Sequence, residues 1–507
     1  MTSEISAYSR PGKLHAPKSS QGLSFGILSA LDPEQRKAAE ILTGQIRLSG
    51  GPGTGKTRTM THRIAHLVTS KTTRPESCLV LLRTPWACQE MKDALERLIG
   101  KKAQNISILT WQGVGETILK ESFKQAGLPK QFRLADASER LDFVRKALNW
   151  SKERAQTALA QLSHSKRESL MESAGTDSAI IKALLDEWRS HKGWLDEEDF
   201  SVLSLTVFEN FPEIAAVYRK RFQYISIDEY QDLSAMDFGL IRCLIGPDGN
   251  ICVSGDPRQS ICGEAAVNYF ERFKKDFPFA HQIHLTRNYR LGEALLCTAK
   301  LLSPEVLSSA VSLTADEGCV RVESFASDRA EAEYIAVNIR KLLQGPEGQE
   351  SRRVPSYKPS DIAVIYRLEA QTDVLRDAFT AQGLEVKRGG AAGFEIKSDE
   401  KEASISLFLL NEVKGREFSV VFVAGCEESL IPEETMRSRG EEEGLFYVSL
   451  TRARERLILT YALKRSLSGS VLERKISPSL KSISRRVNYR ERSGDQTNAP
   501  GAQLDLF

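Results

Sequence analysis

The 507-residue sequence predicts an α/β protein, and three observations support this. A glycine-rich loop, residues 50–57, lies between an apolar strand pattern and an amphipathic helix pattern. Two more apolar strands, residues 224–227 and 251–254, run directly into polar motifs. Residues 119–200 have helical periodicity and many charges, without a strand pattern. These features predict a sheet flanked by helices, with an all-α insertion between two parts of one domain.

Composition indicates an ordinary globular protein with 41% hydrophobic residues and a net charge of only +3, which does not by itself indicate nucleic-acid binding. The eight cysteines include no C-x-x-C pair, so we expect neither disulfides nor a zinc cluster. No segment resembles a signal peptide or a membrane span. We therefore expect a cytoplasmic protein, without membrane contact, and a monomer.

The first helix is predicted to begin after Asp32, an N-cap residue followed by proline. Residues 1–23, rich in Ser, Pro and Lys, are expected to form a disordered leader. Gln35 lies a short distance before the glycine-rich loop and is a candidate for reading adenine. The alternative is an exposed glutamine at a helix start.

The loop GGPGTGKT fits the phosphate-loop pattern G-x-x-x-x-G-K-[ST] at every fixed position. In such a loop backbone N–H groups turn toward phosphates, and the N-terminus of the next helix favours anions. Lys56 would reach the β and γ phosphates of ATP, and Thr57 would hold Mg²⁺. The alternative is a glycine-rich turn without a ligand. The predicted nucleotide contacts are Gly50, Gly51, Pro52, Gly53, Thr54, Gly55, Lys56, Thr57 and Arg58.

Two strands after the loop, residues 78–82 and 106–110, end in segments that each contain a threonine and a tryptophan. Thr84 and Trp86 follow the first strand, and Thr110 and Trp111 end the second. Ligands bind at strand ends in open α/β sheets, and exposed tryptophan can stack on bases. The alternative is that both tryptophans are packing residues.

The strand at residues 224–227 leads into Asp228 and Glu229. In a phosphate-loop ATPase such residues hold Mg²⁺ and activate the attacking water, respectively. The strand at residues 251–254 leads into GDPRQS, in which Gln259 is placed to sense the γ-phosphate. A phosphate loop alone also fits a kinase or a GTPase, whereas this order of motifs fits far fewer classes of protein.

From about residue 30 to residue 480 the chain resembles the UvrD/Rep-like superfamily 1 DNA helicases. The resemblance consists of eight blocks in the family's order: the Gln35 segment, GPGTGKT, IDEYQD, GDPRQSI, RNYR, DIAVIYR, KGREF and YVSLTRARE.

The resemblance implies two RecA-like domains, with ATP bound in the cleft between them. Arg290 and Arg452 would come from the second domain and stabilise charge on the transferring phosphoryl group. Glu417 would contact the ribose. The motor would move along single-stranded DNA, by family analogy in the 3′ to 5′ direction.

This reading divides the chain into six parts. The first RecA-like domain comprises residues 24–117 and 201–285, with the helical insertion at 118–200 between them. The second RecA-like domain comprises residues 286–480. The leader precedes these domains, and a flexible basic tail, residues 481–507, follows them.

The chain departs from the family pattern at DNA-contacting positions. Cys262, Glu264 and Ala265 stand where the family has a stacking aromatic and an arginine. Gln112 and Asn411 replace histidines, and Asn411 is retained as a candidate DNA contact. Trp86 is a possible substitute platform for a base.

A large helical domain of the relatives is expected to be absent. It would lie between Gly389-Gly390 and the KGREF block, where only residues 391–404 precede the next strand. Fourteen residues are too few for a domain. The chain should therefore be a reduced motor.

The last five residues resemble the peptide with which bacterial proteins dock on the replicative sliding clamp. They are Gln503, Leu504, Asp505, Leu506 and Phe507. Residues 493–502 have no apolar periodicity and are expected to be a flexible linker. The alternative is a chance apolar end or a tail folded onto its own core. The basic run at residues 464–492 is either a solvated tail or a phosphate-contacting segment.

Three functions are considered. The leading one is an ATP-dependent helicase or translocase on single-stranded DNA, recruited to the clamp in replication or repair. The second is a DNA-dependent ATPase that remodels or recruits partners with little unwinding, for example in repair or defence against mobile DNA. The third, an inactive scaffold, is disfavoured by Lys56, Asp228, Glu229 and Arg452.

Overall fold

The structure is a computed structural model that describes residues 26–168, 176–246, 249–260, 269–345, 357–389, 404–433, 439–467, 469–484 and 488–491. The chain divides into two compact units. The first comprises Met1–Leu48, Lys56–Ser254 and Phe273–His284, and the second comprises Ser49–Gly55, Gly255–Arg272 and Leu285–Phe507. The glycine-rich loop thus groups with the second unit, whereas the helix after it groups with the first.

The first unit is built on a six-stranded sheet in the order β3-β2-β6-β7-β1-β8. The strands β3, β2, β6 and β7 pair in parallel. β2 and β6 are buried along their whole length, because helices cover both faces of a parallel sheet. The strands are β1 (Gln45–Gly50), β2 (Cys78–Leu82), β3 (Ser107–Thr110), β6 (Tyr224–Ile227), β7 (Asn250–Gly255) and β8 (His281–Leu285).

Several helices of this part of the chain begin at side-chain N-caps. Asp32 accepts a hydrogen bond from the Gln35 backbone and caps the first helix, as predicted. Thr84 and Thr110 cap the helices that follow β2 and β3. The helices are α1 (Pro33–Glu40), α2 (Lys56–Thr69), α3 (Pro85–Ile99), α4 (Trp111–Glu121), α5 (Ala137–Leu148), α6 (Lys152–Arg167), α7 (Thr176–Lys192), α8 (Glu197–Asn210), α9 (Pro212–Arg221), α10 (Ala235–Leu244) and α11 (Tyr269–Asp276).

The segment predicted to be an all-α insertion contains helices α5 to α8 and also two short strands. These are β4 (Arg133–Leu134) and β5 (Trp194–Leu195), which pair in parallel. The prediction missed them because two-residue strands are too short to show an alternating pattern. Their pairing joins the beginning of the insertion to its end, and Trp188 packs edge-on against Trp194.

Three charged side chains are buried together in this insertion. The Lys166 ammonium lies 2.6 Å from an Asp196 carboxylate oxygen and 2.7 Å from an Asp199 carboxylate oxygen. All three side chains are at most 7% exposed. Arg140 lies 3.8 Å from Asp196 and Arg189 lies 3.5 Å from Asp199, so Lys166 is the nearest cation to both carboxylates but not their sole counter-charge.

Among the described residues, no single helix has both the length and the apolar character of a membrane span. Helices α8 and α9 meet these criteria only when they are taken together, and they are bent by 109° at their junction.

The second unit is built on a seven-stranded sheet in the order β13-β14-β12-β15-β16-β11-β19, in which all neighbouring strands pair in parallel. The strand β12, of sequence IAVIY, is buried at every residue. The strands are β11 (Cys319–Phe325), β12 (Ile362–Tyr366), β13 (Val386–Arg388), β14 (Ile405–Leu409), β15 (Phe418–Val423), β16 (Ala453–Ala462) and β19 (Asn488–Glu491).

Two small sheets and six helices complete the described part of this unit. The strands β9 (Arg287–Asn288) and β10 (Val311–Ser312) pair in parallel, and β17 (Lys464–Leu467) and β18 (Ser470–Glu473) form an antiparallel hairpin. The helices are α12 (Glu293–Leu302), α13 (Pro304–Leu307), α14 (Asp328–Gln344), α15 (Thr372–Ala381), α16 (Arg439–Leu450) and α17 (Pro478–Ser484).

The tail expected to be flexible from residue 481 contains a helix end and a strand at its described residues, 481–484 and 488–491. Helix α17 anchors the first of them, because Leu480 and Ile483 are fully buried in the core of the second unit. β19 then pairs with β11 over four residues, from Arg321 with Asn488 to Ser324 with Glu491. Two buried apolar side chains and four paired strand residues thus hold these described residues against the second unit, although the segment is basic.

We expect Lys166→Ala to lower the free energy of unfolding of the first unit by about 3–5 kcal/mol, because it removes the buried cation that lies closest to two buried carboxylates. The matched control is Lys182→Ala, since Lys182 pairs with Asp186 at 2.9 Å on the surface. Such an exposed pair contributes about 1 kcal/mol or less. Chemical denaturation measures both, and equal losses would contradict a special role of the buried lysine.

Candidate functional site

The glycine-rich loop has the backbone that a phosphate loop requires. It joins β1 to α2, and Gly53 and Gly55 adopt φ angles of +76° and +81°. These angles lie in the left-handed region, where glycine carries no steric cost. The Thr54 hydroxyl donates a hydrogen bond to the Gly51 carbonyl at 2.8 Å and closes the loop.

Thr57 and Asp228 meet at the N-terminus of α2. The Thr57 hydroxyl donates to Oδ2 of Asp228 at 2.6 Å, and the other carboxylate oxygen accepts from the Ser254 hydroxyl. Burial and repulsion by Glu229 raise the pKa of Asp228, despite the two hydrogen bonds and the nearby Lys56. A hydroxyl beside a carboxylate is the oxygen-donor chemistry that Mg²⁺ prefers, so these residues fit the ion. Lys56 is itself buried.

Glu229 has an unusual backbone conformation. Its φ of +55° lies in the left-handed region, which is uncommon for a residue other than glycine. Its N–H donates to Oδ1 of Asp228 at 3.0 Å, and its side chain accepts a hydrogen bond from the Gln231 amide. Such strain is found preferentially at functional sites. With this backbone conformation, the Glu229 side chain has a different direction from that of an extended residue at the end of β6.

In the second unit, the Asn288 region lies directly against the glycine-rich loop. The Asn288 amide donates to the Pro52 carbonyl at 2.5 Å, and the Tyr289 N–H donates to the Gly53 carbonyl at 2.9 Å. A Cβ atom added to Gly53 would lie 2.6 Å from Cβ of Arg290. The structure therefore brings the predicted Arg290 and the predicted loop glycines together.

Glu417 is held by two arginines rather than exposed. Arg290 forms an ion pair with one of its oxygens, and Arg454 donates to the other at 2.8 Å. Burial alone would raise the pKa of Glu417, but Arg290 and Arg454 bring it below the usual value. The Glu417 carboxylate, which was expected to contact the ribose, thus forms an ion pair with the Arg290 guanidinium.

Arg452 and Gln259 also meet within the second unit, and both are buried. The Arg452 guanidinium donates to the Gln259 side-chain oxygen at 3.3 Å and to the Val448 carbonyl at 2.9 Å. These contacts fix the arginine in one orientation.

Gln35 and Arg58 have contacts of their own. The Gln35 side chain is buried and reaches back to the Asp32 backbone in the capping box of α1. Arg58 donates to the Ala30 carbonyl at 2.6 Å and so ties α2 to the chain before α1. Their proposed contacts with nucleotide stay predictions.

The candidate DNA residues of the first unit follow two neighbouring strands. Leu82 pairs with Thr110 in register, so the ends of β2 and β3 share one edge of the sheet. Trp86 is 57% exposed in the first turn of α3, whereas Trp111 is half-buried at the start of α4. The hydroxyls of Thr84 and Thr110 accept hydrogen bonds as N-caps. In the second unit, Asn411 is exposed in a turn after β14.

Several expectations concern residues outside the described ranges. These are the departures at Cys262, Glu264 and Ala265, the short segment at 391–403, and the peptide from Gln503 to Phe507. They stay predictions.

Sequence reasoning missed several residues that contact the site. Asp256 and Tyr447 contact each other, and Lys414 donates to the Gln259 carbonyl. Tyr289 is 44% exposed beside Arg290. The sequence signal for all four was that they lie in quoted motifs: Asp256 in GDPRQSI, Tyr289 in RNYR, Lys414 in KGREF and Tyr447 in YVSLTRARE. The contacts themselves join residues up to 191 positions apart, which local patterns do not reveal.

Two parts of the chain match known helicase domains. Residues 31–278 match the UvrD/REP helicase N-terminal domain, and residues 391–464 match the UvrD-like helicase C-terminal domain. The two matches together cover more than half of the chain.

Curated relatives include the ATP-dependent DNA helicase PcrA from three bacteria. The Bacillus subtilis protein is 28% identical over 414 residues, which are 77% of this chain and 54% of the relative. The Staphylococcus aureus Mu50 protein is 27% identical over 400 residues, 74% of this chain and 53% of the relative. The Staphylococcus epidermidis protein is 28% identical over 396 residues, with the same coverage. The chain thus spans about half the length of these relatives.

The phosphate loop, the Thr57–Asp228 pair, the two domain matches and these relatives lead to one conclusion: the chain belongs to the UvrD/Rep superfamily of helicases.

Proposed function

We propose that this protein is an ATP-dependent motor on single-stranded DNA, a helicase or translocase. The observation that carries the proposal is the 2.6 Å hydrogen bond between the Thr57 hydroxyl and the Asp228 carboxylate, at the N-terminus of a phosphate-loop helix. A strained Glu229 follows directly. Steady-state ATP hydrolysis with and without single-stranded DNA tests the proposal.

Each residue of the ATP site then has a distinct task. Lys56 offsets the negative charge of the phosphates, and the loop N–H groups bind their oxygens. Thr57 and Asp228 would hold Mg²⁺, whose positive charge would stabilise the negative charge on the phosphate oxygens. Glu229 orients the attacking water and accepts its proton. The Gln35 amide reads the adenine, and Arg58 lies at the edge of the site.

Arg290 and Arg452 stabilise the charge that develops on the transferred phosphoryl group. Arginines in this role contribute about 10³–10⁵ in rate. In the structure, Arg290 is paired with Glu417. When nucleotide binds, Arg290 exchanges this carboxylate for a phosphate oxygen, and Glu417 becomes available to the ribose. Tyr289 is exposed beside Arg290, and its ring could stack on the adenine base of the nucleotide.

The DNA strand crosses the edge of the first sheet where β2 and β3 end. Trp86 provides an exposed ring on which a base stacks, while Thr84 and Thr110 lie near its backbone. Trp111 is a second candidate at this edge, and Asn411 is a separate candidate DNA contact in the second unit. We propose 3′ to 5′ movement, by analogy with the family.

A second candidate is a DNA-dependent ATPase that remodels or recruits partners and unwinds little duplex. It is favoured by Cys262, Glu264 and Ala265, and by the fourteen residues at 391–404, where the family resemblance implies a whole domain. A forked-duplex unwinding assay separates the two candidates. The motor would act in repair, replication or defence against mobile DNA.

We further propose that the protein is a cytoplasmic monomer that docks on the bacterial sliding clamp. In the C-terminal peptide, Leu504, Leu506 and Phe507 are apolar anchors, and the Gln503 amide is a hydrogen-bonding group beside Asp505. A ring-shaped clamp with several equivalent pockets would raise the concentration of the motor near DNA.

Lys56→Ala and Glu229→Gln should each abolish ATP turnover. The first removes charge that stabilises the phosphates, and the second removes the carboxylate that activates water. Exposed positions of the first unit, Lys102→Ala and Glu209→Gln, are matched controls that should keep the wild-type rate. A Glu229→Gln protein that hydrolyses ATP normally would refute the proposed mechanism.

Trp86→Ala should weaken binding of single-stranded DNA by about 1–3 kcal/mol, the range for loss of one stacked base. The control is Phe279→Ala, which removes a ring that is 94% exposed in the first unit. Fluorescence anisotropy with a labelled oligonucleotide measures both affinities. If both variants bind like the wild type while Trp111→Ala binds weakly, the base platform is Trp111.

A chain ending at Ala502 should lose binding to the purified sliding clamp of the same organism, because it lacks all three apolar anchors. Its ATPase activity should be unchanged, which separates clamp docking from the motor. Surface plasmon resonance with immobilised clamp measures the difference. Equal binding of the truncated and full-length chains would remove the peptide from the mechanism.

A further inference from the structure

Gln259 is held from three sides in the second unit. Its side-chain nitrogen donates to Oδ2 of Asp256 at 2.9 Å, and its side-chain oxygen accepts from Arg452 at 3.3 Å. Its backbone carbonyl accepts from Lys414. The conformation of this glutamine is therefore determined by the protein itself before any nucleotide contributes a contact.

Asp256 decides which way the Gln259 amide faces. A carboxylate only accepts hydrogen bonds, so the amide must turn its nitrogen toward Asp256. The oxygen then faces Arg452, which only donates. The reversed amide would place two acceptors together and two donors together, with all four groups buried.

Tyr447 fixes Asp256 in turn. The Tyr447 hydroxyl lies 3.3 Å from Oδ2 of Asp256, the oxygen that Gln259 also contacts. The other oxygen, Oδ1, accepts from the Arg258 N–H at 3.1 Å. Asp256 is fully buried and Tyr447 nearly so, which protects the arrangement from water. Burial and the charge of Asp256 keep the pKa of Tyr447 well above its usual value, so the hydroxyl stays a donor.

We propose that Asp256 and Tyr447 are positioning residues that fix the Gln259 amide, and with it the Arg452 guanidinium, in the orientation that detects the γ-phosphate. This inference rests on the proposed function, because it concerns the same ATP site. Neither residue contacts the nucleotide. They act by removing the amide orientation in which Gln259 would repel Arg452.

Asp256→Asn tests the inference because the replacement has the same shape and loses only the charge and the acceptor-only character. An asparagine both donates and accepts, so it permits either orientation of the Gln259 amide. Tyr447→Phe removes only the hydroxyl and is the milder variant. Asp142→Asn, on a side chain 61% exposed in α5, is the matched control.

The readout is discrimination, the Kd of ADP divided by the Kd of a non-hydrolysable ATP analogue. This ratio needs no turnover and isolates recognition of the γ-phosphate. We expect Asp256→Asn to reduce the ratio by about 10–100-fold, as is typical when a partner that orients a functional side chain is lost. Tyr447→Phe should reduce it less, and Asp142→Asn should leave it unchanged.

The same substitution in a Gln259→Ala background distinguishes positioning from general stability. Asp256→Asn should have no further effect there, since no amide is left to orient. An equal reduction in both backgrounds, or an unchanged ratio in the Asp256→Asn protein, would overturn the proposal. A wild-type chain that discriminates normally but fails to hydrolyse ATP would instead contradict the proposed function alone.

Discussion

The chemistry of the first unit depends on the parallel pairing of β2, β6 and β7. Ile227 is in register with Leu81 on one side and with Val253 on the other, so all three strands end at one edge of the sheet. Thr57 and Asp228, 171 residues apart, come within hydrogen-bonding distance because α2 begins at this edge. The two tryptophan-containing turns lie on the same edge. One geometric constraint thus places the candidate ATP and DNA residues side by side.

The glycines of the phosphate loop satisfy a second constraint, imposed by the protein itself. A Cβ on Gly51 would lie 2.2 Å from a Leu307 methyl group, and one on Gly53 would lie 2.9 Å from the Asn288 side-chain oxygen. These positions are therefore glycine for close packing as well as for phosphate binding. The same packing brings the backbone of the loop to Arg290.

The sequence predicted buried strands and the cap of the first helix, because both signals are local. Residues 78–82 and 224–227 form β2 and β6 with the predicted bounds, and Asp32 caps α1. It did not predict β4 and β5, which depend on each other across 60 residues. It identified Gln259 and Arg452 by motif but not Asp256 and Tyr447 as their partners. Those contacts depend on three-dimensional packing, which no short pattern encodes.

The pairing of β19 with β11 has a consequence for biosynthesis. More than 160 residues separate Arg321 from Asn488, which are paired in register. At about 5–20 residues per second, the ribosome needs roughly 10–30 s to make this interval. During that time one side of β11 presents unpaired backbone groups, and such an edge can pair with another chain. Until residue 491 has been made, this edge of β11 in the nascent protein is therefore open to pairing with another chain.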